Sequence, residues 1–186
     1  MAKMLTPRSR LIERWVVRES AWCARANRWG RIARFRRLMT WVSRIGDGPV
    51  WYALMASLVL VDGMRGLIAT LHMAGTGFVA LMLYLGIKRW SRRLRPYERD
   101  RRIEALTPAL DRYSFPSGHT LHALAFTWVA VTWYPMLAVV LFPLTALIAL
   151  SRVVLGLHFP TDVAASVVLA ALLGTASLSW GPTPMI

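Results

Sequence analysis

The residues best placed to do chemistry lie in SRVVLGLHFPTD, where Arg152, His158 and Asp162 fall within eleven positions. A carboxylate four residues beyond a histidine can hold its imidazole in one tautomer, which suits a base or a nucleophile. An arginine six residues upstream can hold an anion against that ring. Pro116-Ser117-Gly118-His119 adds a second imidazole, free to protonate a leaving oxygen. Gly118 lets the backbone come close to a ligand, and Ser117-Gly118 opens a helix whose free N–H groups face an anion. Lys88 and Arg95-Pro96 supply two further cations. Lys88, Arg95 and Arg152 together suit a dianionic ligand, a phosphate monoester or a pyrophosphate, with Arg as a fork and Lys as a point charge. No carboxylate cluster suggests Mg²⁺, and the single Cys23 excludes a disulfide framework or a Cys-based zinc site, so neither metal nor cofactor is expected. A phosphoryl group gripped by cations alone fits attack by histidine and a phosphohistidine intermediate.

The elements that must position these groups are apolar. The chain of 186 residues is 56% hydrophobic with 9 Trp, yet carries a formal net charge of +14. That conflict is resolved if the basic residues lie outside a bilayer. Met1–Arg44 holds twelve Lys/Arg interleaved with apolar residues, and Trp15, Trp22 and Trp29 recur on one helical face. This predicts a basic amphipathic helix in the headgroup region, drawn to anionic lipid. Gly46-Asp47-Gly48-Pro49 breaks it. Five crossings are predicted beyond: Val50–Val61, Leu67–Ile87, Thr120–Tyr134, Met136–Leu157 with Pro143 inside, and Val163–Trp180 with Thr161-Asp162 as its N-cap. Asp62-Gly63-Met64-Arg65-Gly66 is a tight turn between the first two. His72 reads as a structural histidine, having no partner at helical spacing. Residues Lys88–Tyr113 form a polar loop with nine Lys/Arg, among which Arg92, Arg93, Arg99, Arg101 and Arg102 are expected to face headgroups.

Lys88-x6-Arg95-Pro96, Pro116-Ser117-Gly118-His119 and Ser151-Arg152-x5-His158-x3-Asp162 resemble, in order and spacing, the three signature motifs of the type 2 phosphatidic acid phosphatase (PAP2) family. The resemblance covers Lys88–Asp162. It implies a PAP2-like helical bundle and metal-independent hydrolysis. His158 is then the nucleophile that becomes phosphorylated, Asp162 its orienting partner, and His119 the acid that protonates the leaving group and later helps activate water. Lys88, Arg95, Ser117, Gly118 and Arg152 match the phosphate-binding positions. Two departures stand out: Tyr97-Glu98-Arg99 follows the first motif where a second Arg-Pro is frequent, and Ser166 replaces a frequent glycine, expected as a packing change.

These readings define an all-α integral membrane protein of about five transmembrane helices, with an N-terminal arm over 1–45 and the phosphatase domain over 46–186. The expected reaction is hydrolysis of a lipid phosphate: phosphatidylglycerophosphate, phosphatidate or a polyprenyl (pyro)phosphate. A lipid phosphotransferase with the same histidine chemistry and a non-catalytic anionic-lipid-binding protein are the alternatives, and no nucleic-acid partner is expected. Of 23 basic residues only Arg65 falls opposite the site, so the positive-inside rule places arm and site on the cytoplasmic side of a bacterial inner membrane.

Overall fold

The computed structural model describes residues 7–181, which are helical with no strand among them. The arm forms two helices where one was expected, α1 (Pro7–Gly30) and α2 (Ala33–Gly46), with a break at Arg31-Ile32. Trp15, Trp22 and Trp29 are all exposed on α1.

Next comes α3 (Pro49–Ser91), whose only non-helical residue is Gly63, at φ 52° and ψ −121°. No side chain tolerates that conformation cheaply, so a single glycine turns the helix back on itself. Pairs centred on residue 62 show the reversal. Thr70 Oγ1 donates to the Met55 carbonyl at 3.1 Å, and a Cβ on Gly66 would stand 1.9 Å from the Leu58 carbonyl oxygen. The expected turn at 62–66 is therefore present, and the second leg runs on to Ser91, carrying Lys88 in its last turn instead of in a loop.

After a short helix α4 (Pro96–Arg99) and an irregular stretch come α5 (Gly118–Trp133), α6 (Ala138–Val154, entered through the 3₁₀ turn Pro135–Leu137) and α7 (Pro160–Trp180). Helix α5 is central. One face packs Ala123, Val129 and Trp133 against Trp51, Met73, Leu141 and Ile148 of α3 and α6. Its other face packs Leu121 and Leu124 against Ala80, Ala170 and Leu173. Thr127 and Thr145 join hydroxyls at 2.7 Å in between, satisfying two buried polar groups. His72 is structural, as expected: Nδ1 accepts from Trp133 Nε1 and Nε2 meets Ser177 Oγ, both at 3.1 Å. Those partners come from α5 and α7, beyond the reach of helical spacing. The start of α7 differs from expectation. Pro160 takes the first helical position, where its fixed φ costs nothing, which makes Phe159 the N-cap and puts Asp162 at the third position.

Among the described residues, three stretches are long and apolar enough to cross a bilayer: Pro49–Arg99, Pro135–Val154 and Pro160–Trp180. The 16-residue α5 spans only about 24 Å at 1.5 Å per residue. Leu60, Val61, Val139, Val140 and Leu172 point outward, an arrangement suited to lipid and unfavourable in water.

Replacing Gly66 by alanine forces a methyl into the Leu58 carbonyl and is expected to cost about 1–3 kcal/mol, seen as a lower thermal midpoint in detergent. Gly86→Ala, with nothing within 4 Å of its Cβ, should leave the midpoint unchanged or raise it. Equal midpoints for both variants would contradict the tight hairpin.

Candidate active site

A cavity of about 490 Å³ opens where the C-terminal end of α3, the N-terminus of α5 and the C-terminal end of α6 converge. Lys88, Arg95, Gly118, His119, Arg152 and His158 all line it. Three segments widely separated in sequence thus bring three cations and three imidazoles to one chamber, the third being that of His122, one turn beyond Gly118 on α5, whose Nδ1 lies 2.9 Å from the Gly118 carbonyl oxygen.

Each group has an identifiable holder. His158 sits in the tight link between α6 and α7, and its Nδ1 lies 2.6 Å from the Ser114 carbonyl. A carbonyl can only accept, so Nδ1 carries the proton and Nε2 keeps its lone pair. Asp162 Oδ2 is 3.8 Å from Nδ1, beyond hydrogen-bonding distance. Instead that oxygen accepts the Phe159 N–H at 2.8 Å, and Oδ1 accepts from Arg93 Nη1 at 2.5 Å. Ser114 thus fixes the tautomer, while the Asp162 carboxylate braces the backbone and lies close enough to pair with the ring when it is charged. Burial drives the His158 pKa down from 6.5 to about 4, against the opposing pull of Asp162, so the ring is neutral at physiological pH.

Arg95 is almost completely buried. Its Nη1 donates to the Leu157 carbonyl at 2.7 Å, and its Nε and Nη2 reach the carbonyl and carboxylate of Asp111. Lys88 Nζ is 2.6 Å from the same Asp111 Oδ1 and donates to Tyr84 Oη at 2.9 Å. Tyr84 in turn donates to Asp111 Oδ2 at 2.5 Å. Burial would raise the Asp111 pKa, but the hydrogen bonds from Lys88 and Tyr84 outweigh it and hold the carboxyl below its ordinary value. Arg152 donates to Ser43 on α2, and its buried Nε has no partner among the described residues. The three cations therefore surround an anion position that Asp111 only partly fills.

On the other side of the cavity, His119 Nε2 lies 3.3 Å from Asp47 Oδ1, in the turn between α2 and α3. Burial raises the Asp47 pKa, with the Arg152 charge opposing. Gly118 has no room for a side chain, since a Cβ would stand 2.7 Å from the Tyr84 ring. Ser117 is fully buried and engaged elsewhere: its hydroxyl meets Thr120 Oγ1 at 3.0 Å, and its N–H donates to Ser166 Oγ at 2.8 Å. Ser166 thereby ties the start of α5 to α7, which is more than a packing change.

Several site residues escaped the sequence reading. Asp111 and Asp47 carried no motif, although the chain has only nine acidic residues and each deserved a search for its cation. Arg93 was expected at the headgroups; it is instead clamped between Glu19 and Asp162, with its guanidinium 4.5 Å over the Phe159 ring. Beyond the charged groups the chamber is apolar, walled by Trp51, Met55, Phe78, Leu81 and Phe126.

Comparison with known proteins gives this geometry a context. The sequence model of the PAP2 superfamily matches residues 65–185. The decaprenylphosphoryl-5-phosphoribose phosphatase of Mycobacterium tuberculosis is 33% identical over 153 residues, covering 81% of each chain. The undecaprenyl-diphosphatase of Sulfolobus acidocaldarius is 28% identical over 165 residues, covering 85% of this chain and 78% of that one. The fold matches the crystal structure of Aquifex aeolicus LpxE with a TM-score of 0.72 at 24% identity, over 86% of this chain and 93% of that one. It also matches a transmembrane PAP2-type phosphatidylglycerolphosphate phosphatase from Bacillus subtilis, with a TM-score of 0.70 at 23% identity over 88% and 84% of the two chains.

The buried, neutral His158 has a consequence for stability. Its native pKa of about 4 lies below the ordinary 6.5, so between these values the unfolded chain binds more protons than the native one. Stability should fall as pH is lowered from about 6.5 toward about 4. The wild-type unfolding midpoint in detergent is expected to drop across that window more steeply than that of His158→Gln, and parallel curves would show that this ring does not titrate as described.

Proposed function

The chain belongs to the PAP2 superfamily and is an integral membrane phosphatase of that type, and from this premise we propose that it cleaves a polyprenyl-linked phosphate or pyrophosphate through a phosphohistidine at His158. The observation that carries this reading is a single cavity with a cationic, imidazole-bearing end and an apolar remainder. A lipid phosphate needs both. The relatives named for polyprenyl-linked substrates favour a polyprenyl chain over a diacyl lipid.

The steps follow from the side chains. The phosphoryl group enters the position ringed by Lys88, Arg95 and Arg152, where the unpartnered Arg152 Nε gains an acceptor and the helix opening at Gly118 adds backbone donors. His158 Nε2 attacks phosphorus with its lone pair, and the bond from phosphorus to the leaving oxygen breaks, releasing the lipid alcohol from a monophosphate or the lipid monophosphate from a pyrophosphate. His119 gives its proton to that oxygen. A water oxygen then attacks phosphorus as His119 takes one of its protons, the N–P bond breaks with its electron pair returning to Nε2, and orthophosphate leaves with His158 neutral again. Asp162 offsets positive charge on His158 in the intermediate, and Ser117 acts through the shape of the helix opening.

The membrane arrangement belongs to the same proposal. The two legs of α3 with α5, α6 and α7 make five crossings. α1 lies in the interface with its Trp face toward lipid and its arginines toward anionic headgroups. The arm over 1–45 and the bundle over 46–186 are the two units of the chain. The basic excess puts both arm and site on the cytoplasmic side of a bacterial inner membrane.

Phosphate release from polyprenyl monophosphate, polyprenyl pyrophosphate, phosphatidate and phosphatidylglycerophosphate, in detergent with EDTA present, tests the reading. Wild type should release phosphate fastest from a polyprenyl substrate, and His158→Ala should be at least 10³-fold slower, as for loss of a nucleophile (about that order or more). Equal rates for the two proteins would remove His158 from the chemistry, and faster release from a diacyl substrate would overturn the chain preference.

The phosphoryl position is partly filled by Asp111, which competes with any incoming phosphate. Asp111→Asn removes the competing charge while keeping the shape. Inhibition by orthophosphate or orthovanadate should then tighten about tenfold, an effect of order 1.4 kcal/mol. Unchanged inhibition would mean that Asp111 and the ligand do not share the cations.

A further inference from the structure

Helix α1 is anchored against the nucleophile's loop by buried polar contacts. Asn27 Nδ2 donates to the Glu104 and Val154 carbonyls at 2.9 and 3.0 Å, and its Oδ1 accepts the Glu104 N–H at 3.0 Å. Cys23 Sγ lies 3.8 Å from the His158 carbonyl oxygen. Gly156, in left-handed conformation at φ 75°, lets this junction close, since a Cβ there would stand 2.4 Å from the Glu104 carbonyl. One turn before Cys23, Glu19 enters the same junction with its carboxylate almost wholly buried.

The Glu19 contacts are specific. Oε1 accepts from Arg93 Nη2, and Oε2 accepts from the Thr161 hydroxyl. Arg93 Nη1 turns the other way, donating to Thr161 Oγ1 at 2.8 Å and to Asp162 Oδ1 at 2.5 Å. A guanidinium placed between two buried carboxylates is held from both sides, and each carboxylate is left with part of its charge uncompensated. Alone with Arg93, Asp162 would form a neutral pair and lose most of its field at His158. With Glu19 present the three groups sum to −1. The guanidinium is thus shared between the two carboxylates, Nη1 on Asp162 and Nη2 on Glu19.

We propose that Glu19 is a positioning residue for the phosphatase reaction: through Arg93 it sets the place and effective charge of Asp162 behind His158. This rests on the reading of His158 as the nucleophile. It assigns a chemical task to the N-terminal arm, which lies before the family match at 65–185. Glu19 touches neither substrate nor reacting atoms. Its effect therefore falls on turnover, whereas Lys88, Arg95 and Arg152 hold the phosphate with partners of their own.

The test uses the full-length protein in detergent, with a polyprenyl monophosphate as substrate and EDTA present. Glu19→Gln keeps the volume of the side chain and an acceptor for Arg93, and removes only the charge. It should lower kcat about tenfold with KM within twofold and the unfolding midpoint close to wild type. Glu19→Asp, which keeps the charge, should recover most of that loss. Arg93→Lys serves as a second variant, because a point ammonium cannot span Glu19, Thr161 and Asp162 together; it too should lower kcat with little change in KM. Wild-type kcat in Glu19→Gln or Arg93→Lys would overturn the proposal, as would kcat loss that follows a lowered midpoint with Asp no better than Gln. His158→Ala run beside them separates the two levels: full turnover there refutes the nucleophile itself, independently of Glu19.

Discussion

Everything near the site follows from placing three cations inside a mostly apolar protein at the end of a helical bundle. Lys88, Arg95 and Arg152 are each less than a tenth exposed. A buried charge without a partner costs several kcal/mol, and three of like sign repel one another as well. The structure meets this with a few specific acceptors: the Leu157 and Asp111 carbonyls for Arg95, and the Asp111 carboxylate shared by Arg95 and Lys88. Compensation is incomplete, because Arg152 Nε has no partner among the described residues. A site completely neutralised by its own side chains would have nothing left for a tetrahedral dianion. The planar carboxylate of Asp111 covers two of the three cations and leaves the third for a ligand with more oxygens.

The scaffold can hold such a cluster because its apolar elements are pinned at a few close contacts. The reversal at Gly63 sends the second leg of α3 back alongside α5. Gly77 there admits the Phe126 ring, which would lie 2.5 Å from any Cβ. At the polar end, Gly118 makes room for Tyr84, and Tyr84 supports both Lys88 and Asp111. The same small-residue contacts that set helix separations also set the distances among the charged groups. Helix packing and electrostatics therefore cannot be varied independently here.

Sequence reading recovered what short-range spacing encodes. The three motifs, the turn at Asp62–Gly66, the opening of α5 at Gly118 and the structural nature of His72 all rest on local types and intervals. Partners joined only in space were out of reach. Asp111 meets Lys88 across 23 positions that include a helix end, α4 and irregular chain, and Glu19 meets Arg93 across 74. Nothing periodic connects either pair. The N-cap of α7 went astray for a local reason: Thr and Asp are good caps, but Pro160 claims the first helical position ahead of them. Arg93 was misassigned because a run of arginines next to a membrane ordinarily faces headgroups, and only its geometry shows that it turns inward.

Three of the residues that reading by motif passed over share a feature. Glu19, Ser43 and Asp47 all precede the family match, and each touches a different part of the site: Arg93 and Thr161 beside Asp162, the Arg152 guanidinium, and the His119 ring. A surface anchor has no need of a fully buried Asn27 or a nearly buried Glu19, since burying polar groups costs free energy unless each finds its partner. Here each finds one: Asn27 on the backbone of Glu104 and Val154, Glu19 on Arg93 and Thr161. The start of the chain and the bundle are thus one electrostatic unit, in which α1 supplies Glu19 to Arg93 and the turn between α2 and α3 supplies Asp47 to His119. The exposed tryptophans of α1 thus belong to the same helix whose Glu19 reaches Arg93 and Thr161 beside Asp162.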